Sequence, residues 1–214
     1  MNYIFLHITK MNDYQRITDE IFDYIMDDNV ISKIDKIFLV VLGDKNKKLV
    51  LPTTDKIEII YSSENMKEFE FVTLELLRDF CIENPDNNVC YLHLKGLGSN
   101  NGNECLNDWR KYMLYFLLTK IDNVLDSLKH NVSCGVDLRS EPTLHYSGNF
   151  WWGNTSYIAT LPEVRNLPLI ISERHKCEFW ICSDKDKKHE SLWDCGIDVY
   201  ERHLHRYEEK KYIK

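Results

Sequence analysis

A single α/β domain with a mainly parallel central sheet is the fold class this sequence predicts, and two observations carry it. Strand-type runs alternate with helix-period stretches through the first 138 of 214 residues. No linker, repeat or charge block divides the chain, so residues 1–214 read as one domain, its sheet flanked by α-helices.

Tyr3–Ile8 is a short apolar strand. Tyr14, Ile17, Ile21, Phe22 and Ile25 then recur at three- and four-residue steps, the spacing of one helix face. Lys36–Leu42 is rich in β-branched residues and stops at Gly43-Asp44, as a buried strand entering a turn does. Lys56–Tyr61 is a third strand. A helix face follows from Phe69 through Val72, Leu76, Leu77 and Phe80, closed by Asn84-Pro85-Asp86. Val89–Leu94 is the fourth strand. Leu106, Trp109, Met113, Phe116, Leu117, Ile121, Val124, Leu125 and Leu128 hold one apolar stripe, predicting an unbroken helix of about six turns. Val132–Leu138 is a further strand, and beyond it the pattern loosens into short pieces rich in His, Trp and Pro.

Composition narrows the function. With 27 basic and 34 acidic residues the net charge is −7, and no basic patch dominates, so nucleic acid is a poor partner. Seven scattered cysteines without a Cys-x-x-Cys pair read as reduced, mostly buried thiols of a cytosolic protein. The amino terminus has no basic region ahead of a long apolar run, and no segment approaches the ~20 apolar residues of a membrane helix.

In open α/β sheets, ligands bind outside the carboxyl ends of the strands. That rule selects His7 and Thr9, Gly43 and Asp44, His93 to Gly98, and Asp137 onwards. Tyr91-Leu92-His93-Leu94-Lys95-Gly96 places a lysine at a strand end before a glycine-rich loop and a helix, where an ammonium and open backbone N–H groups suit phosphate. A lysine snorkelling at a sheet edge fits the same spacing. The segment is neither a P-loop nor the dinucleotide fingerprint, since Gly96, Gly98 and Gly102 give G-x-G-x-x-x-G.

In His145-Tyr146-Ser147-Gly148-Asn149-Phe150-Trp151-Trp152, two adjacent tryptophans stand among glycines and amides. Packing is expected to bury one indole and leave the other lining a surface, where a flat ring beside Asn and His donors suits a sugar. A buried aromatic corner is the competing reading. Glu178, among Cys177, Phe179 and Trp180, is a candidate general base, although glutamates in such places more often pair with a nearby Arg or Lys. His175, Cys177, Cys182, His189, Cys195, His203 and His205 match no standard zinc spacing. The one Asp-x-Asp, Asp184-Lys185-Asp186, sits in a mixed-charge run of solvated-loop type.

Taken in order, IFLHI, YLHLKG, NDWRKYMLYFLL, CGVDL, HYSGNFWW and RHKCEFWI resemble the small glycosyltransferases of GT-A type encoded by large DNA viruses (chlorovirus- and mimivirus-like) and by some bacterial polysaccharide clusters. The resemblance spans about residues 3–182. It implies a GT-A-like domain, with about 1–100 as the nucleotide-binding half and about 101–214 as the acceptor-binding half. The implied activity is hexosyl transfer from a nucleotide sugar, a UDP-sugar first, to a glycan or glycoprotein, in the cytoplasm (the host's, if the source is viral). His7, Thr9, His93, Lys95 and Gly96 would then meet the donor. His145, Asn149, Trp151 and Trp152 would shape the acceptor site, and Glu178 would be the base of an inverting reaction.

The family's Asp-x-Asp position reads His93-x-Lys95 here. Either the lysine replaces a metal's charge, or an Mn²⁺ or Mg²⁺ ion rides on the diphosphate with one carboxylate such as Asp137, the second catalytic candidate. The resemblance favours the ion but does not identify its ligands. The rival of a different class is a non-catalytic glycan-binding module keeping the aromatic platform. A dinucleotide-dependent oxidoreductase lacks the glycine turn after the first strand, and no carboxylate pair marks a glycosidase.

Overall fold

In the computed structural model, residues 1–97, 103–198, 201–202 and 204–213 are described. Chain order is β1 (Asn2–Thr9), α1 (Tyr14–Ile25), α2 (Asp28–Ile31), β2 (Lys36–Leu42), β3 (Ile57–Ser63), α3 (Phe71–Glu83), β4 (Asn88–His93), α4 (Glu104–Leu114), α5 (Ile121–Ser127), β5 (Ser133–Gly135), β6 (Leu138–Arg139), β7 (His145–Tyr146), β8 (Trp151–Asn154), α6 (Thr155–Ile158), α7 (Lys176–Phe179) and β9 (His189–Ser191). The main sheet runs β3-β2-β1-β4-β8-β5-β9, and β6 and β7 form a separate hairpin. Every neighbour pair is parallel except the two that involve β8, so one antiparallel strand is inserted into an otherwise parallel sheet. The predicted α/β class is what the chain forms.

Both faces of the sheet are covered, and strand alternation decides which residue faces which layer. Ile4, Leu6 and Ile8 of β1 join α1, α4 and α5 in one core. Tyr3 and Phe5 point the other way and pack with α3, α6 and α7. His7 shares the second face, which is why it meets α3.

Three elements differ from the sequence reading. The long helix is broken: α4 ends at Leu114, Tyr115–Thr119 forms a π-helical turn, and α5 resumes at Ile121. Such a turn frees carbonyls, and Leu117 O accepts the Trp152 indole N–H at 2.9 Å. The helix expected from Phe69 begins at Phe71, because Phe69 adopts φ 49° and ψ −152°. The strand expected to reach Leu138 stops at Gly135, because Asp137 at φ 51° turns the chain into the β6–β7 hairpin.

The loosely patterned tail is built onto α4. Trp193 stacks on Phe116 with ring centroids 4.8 Å apart, and Tyr207 and Tyr212 pack edge-on against Tyr112. Among the described residues, no helix is long and apolar enough to cross a membrane.

Candidate functional site

Parallel strands end together, so His7 and Thr9 of β1, His93 to Gly96 after β4 and Asp137 after β5 reach the same edge of the sheet. Because β8 is antiparallel, the loop that enters it, residues 147–150, lies there too. The described residues that the strand-end rule selects on β1, β4 and β5 lie at this edge, and Gly98, Gly102 and His203 lie outside the described residues.

At its centre is Glu70, a residue the sequence reading passed over. It caps α3 and is turned inward by the left-handed backbone of Phe69, a conformation a bulky residue adopts only under constraint. Glu70 is buried. Its Oε2 accepts from Tyr91 Oη at 3.0 Å and from Asn149 Nδ2 at 3.1 Å. Oε1 lies 3.9 Å from His93 Nδ1 and 3.6 Å from Arg174. Burial works against its charge, but His93, His7, Arg174 and the Tyr91 hydroxyl together hold its pKa down to about 2. The readable signal was a carboxylate between two phenylalanines (Glu68-Phe69-Glu70-Phe71) at the start of an expected helix.

Most of the residues chosen from sequence are present at this edge but already engaged. His7 bonds Thr73 Oγ1 at 2.7 Å and Thr9 Oγ1 at 3.0 Å, and burial lowers its pKa to about 4. His93 Nε2 donates to Gly148 O at 3.1 Å. His145 Nδ1 donates to Thr143 O at 2.8 Å, with its ring edge-on to Phe179. Asn149, at φ 57°, spends both ends of its amide, on Glu70 and on Trp151 Nε1 at 3.0 Å. These groups set the shape of the edge. Gly96, at φ 99°, approaches Arg110, whose Nη1 holds the Lys95 carbonyl at 2.9 Å while Glu20 takes its Nε and Nη2.

The two tryptophans correct the sequence reading. Neither ring lines a surface: both Trp151 and Trp152 are 0% exposed. Adjacent residues on a strand face opposite layers, and β8 is an inner strand covered on both sides. Trp151 therefore enters the core with Tyr91 and Trp180, and Trp152 enters the other core.

Two chosen side chains remain chemically open. Lys95 is half-buried, and among the described residues its ammonium makes no hydrogen bond, resting over the Trp109 ring 4.3 Å from the centroid. Burial lowers its pKa, Glu178 and Glu70 oppose that, and Arg174 and Arg202 add to it, so the charges of all four reach it. Glu178, on α7, is partly exposed, and among the described residues its carboxylate makes no hydrogen bond or ion pair, yet its charge also reaches His93 and His145. Among the described residues no Arg or Lys forms the expected ion pair with it.

The implied divalent ion can be tested against the ligands on hand. Among the described residues, one group could gather round an ion: Asp137, Asp194 and Cys195, with ligand atoms within 4.8 Å. Asp137 is fully buried and bonds Arg202, Arg139 at 3.3 Å and Cys195 N at 3.0 Å. Asp194 pairs with both Nη atoms of Arg139, and burial raises the Cys195 thiol, keeping it protonated. These carboxylates are saturated by guanidinium, so the set does not fit a divalent ion, and Asp137 has no free oxygen for catalysis. The histidines and cysteines of the tail form no other such group among the described residues.

Two consequences are measurable. Gly148 adopts φ 97°, and a Cβ there would lie 2.6 Å from Met113 Sδ and 3.2 Å from Trp109 Nε1. Gly148→Ala should therefore lower stability by about 1–3 kcal/mol, read as a drop in the urea midpoint. Acid should also weaken the fold in a defined window. Unfolded histidine takes up a proton below pH 6.5, whereas His7 in the fold resists until about 4, so stability falls as pH drops between these values. Glu70 adds a second loss from about 4.5 towards 2. Melting temperature against pH checks both, and His7→Asn should flatten the upper limb.

The fold and edge thus define an α/β protein whose candidate ligand site lies at the carboxyl ends of a mainly parallel sheet with one reversed strand. The chain belongs to the family described as Domain of unknown function (DUF8361), whose model matches residues 3–201. No curated protein matches it in sequence. Among solved structures it is similar to a "putative nucleotide-diphospho-sugar transferase" from Desulfovibrio desulfuricans G20, at 7% identity and a TM-score of 0.49, over 90% of this chain and 80% of that one.

Proposed function

We propose that this chain is a glycosyltransferase that moves a sugar from a nucleotide-sugar donor to a hydroxyl acceptor. One observation carries the reading: among the described residues the Glu178 carboxylate and the Lys95 ammonium make no hydrogen bond or ion pair, and the charge of Glu178 acts on Lys95, at an edge otherwise locked by its own hydrogen bonds. Transfer needs both. The acceptor hydroxyl gives its proton to Glu178 as its oxygen bonds the anomeric carbon, and the bond from that carbon to the diphosphate oxygen breaks with its electron pair. Lys95 then meets the negative charge that gathers on the leaving diphosphate. His93 and Asn149, held through Glu70, keep the entrance to β8 in register around the two groups.

The resemblance of the sequence motifs to GT-A glycosyltransferases points the same way. A non-catalytic glycan-binding module is less well supported, since it relied on an exposed indole platform and both indoles are buried. The test is a thermal-shift panel of UDP, GDP, CDP, ADP and NAD, with and without Mn²⁺. A rise in melting temperature with one nucleoside diphosphate supports the reading, because a ligand of the folded state stabilises it by mass action. No rise with any of them counts against it.

A further inference from the structure

We infer that the diphosphate of the donor is held by side-chain cations, Lys95 and Arg202 on the Trp109 ring with Arg174 at the rim, and not by a divalent ion. For the nucleotide this rests on the transferase reading; for the anion it rests on the geometry alone.

Arg202 comes from the tail and is the least predictable of the three. Its side chain is buried, and Nη1 serves Asp137 and Tyr112. Nε and Nη2 are buried with no acceptor. A guanidinium left with two unsatisfied buried donors is costly unless an acceptor arrives. Its Cζ lies 5.0 Å from the centroid of the Trp109 ring over which Lys95 also rests. The indole Nε1 of Trp109 is a third buried donor without an acceptor, and Ser147 Oγ beside Gly148 is a further unpartnered polar atom. Unpartnered donors and two cations thus collect on one indole, next to the strand end where the ammonium of Lys95 makes no hydrogen bond.

Arg174 stands at the rim, 66% exposed at its side chain, with the Glu70 carboxylate 3.6 Å away. When it turns towards an anion, Glu70 keeps its bonds from the Tyr91 hydroxyl and the Asn149 amide. The carboxylates nearby do not offer a metal a place. Asp137 and Asp194 are neutralised by Arg202 and Arg139, and Glu70 is taken by Tyr91, Asn149, His93 and Arg174. Among these described carboxylates Glu178 is the open one, and a single carboxylate beside an ammonium is a weak cation ligand. The diphosphate of the donor carries two negative charges and gains a third as it leaves, and its oxygens are the acceptors that Arg202 and Trp109 lack.

The experiment is titration calorimetry on the whole protein with inorganic pyrophosphate and with UDP, in EDTA and again with Mn²⁺. Two variants accompany it. Lys95→Met removes a half-buried cation that holds no carboxylate. Arg202→Lys keeps a charge for Asp137 but deletes the Nε and Nη2 donors, and its unfolding midpoint reports whether the fold survives. Pyrophosphate and UDP should bind in EDTA, with Mn²⁺ changing affinity by no more than about twofold. Each variant should weaken both ligands about tenfold or more, as loss of a charge-assisted bond does.

Binding of UDP only when Mn²⁺ is present overturns the inference and leaves the transferase reading standing. Unchanged affinity in Lys95→Met overturns it as well, as does failure of both ligands under every condition. Pyrophosphate binding in EDTA without binding of any nucleoside diphosphate upholds the cationic site and removes the transferase reading.

Discussion

Glu178→Gln should abolish sugar transfer while leaving nucleotide affinity within about twofold of the parent protein. Glutamine keeps the size and shape of the side chain but cannot take a proton, and removing a general base typically costs about 10²–10⁴-fold in turnover. Because the Glu178 carboxylate makes no hydrogen bond or ion pair among the described residues, its loss strands none of them. The melting temperature should therefore barely move, which separates this variant from one that merely destabilises the protein. Loss of a like-signed neighbour of the diphosphate should, if anything, tighten donor binding. Transfer rate and nucleotide affinity measured on the same preparation decide the matter: near-normal turnover would remove Glu178 from the chemistry.

The second large effect is on stability. Trp152→Ala should cost about 3–5 kcal/mol, the range for deleting a buried aromatic ring. The ring is fully buried, and its N–H holds the Leu117 carbonyl at 2.9 Å within the π-helical turn. Truncation opens a cavity and leaves that carbonyl unsatisfied at the point where the long helix is already broken. Against a typical total of 5–15 kcal/mol, such a loss removes a large share of the fold. Trp152→Phe should recover most of the packing but not the hydrogen bond. Denaturant midpoints of the two variants measure the difference, and a Trp152→Ala protein as stable as the parent would mean that the ring is not core.

The buried tryptophans show where a sequence stops being readable. Strand and helix periods gave the α/β class because each element repeats its pattern locally: β1, β2 and β4 are apolar runs, and α1 carries its stripe on one side. Whether an aromatic pair is a platform or a core depends on what covers the strand, and that is settled by β8 lying between β4 and β5. Nothing in HYSGNFWW states that position. The same holds for Glu70, whose role comes from the left-handed backbone of Phe69 and from partners 21 and 79 residues away in sequence. Arg202 reaches Asp137 across 65 residues, so no local spacing announces it.

Residues at strand ends were easier to place, since parallel strands finish together whatever their neighbours are. His7, His93, Lys95 and Asp137 were found for that reason, and their chemistry was then sorted by contacts the sequence does not carry. Asp137 proved to be saturated by arginine, whereas the Lys95 ammonium makes no hydrogen bond among the described residues.

Hydrogen–deuterium exchange with and without saturating UDP tests the central claim most directly, because it reports where a nucleotide acts as well as whether it does. The account expects slowed exchange at residues 93–97, 145–150 and 174–178, the segments that meet at the carboxyl edge of the sheet. A groove of about 430 Å³ opens between α5 and β9, lined by residues including Asn123, His130 and Lys188. Protection confined to that groove, or no protection anywhere, would contradict the account.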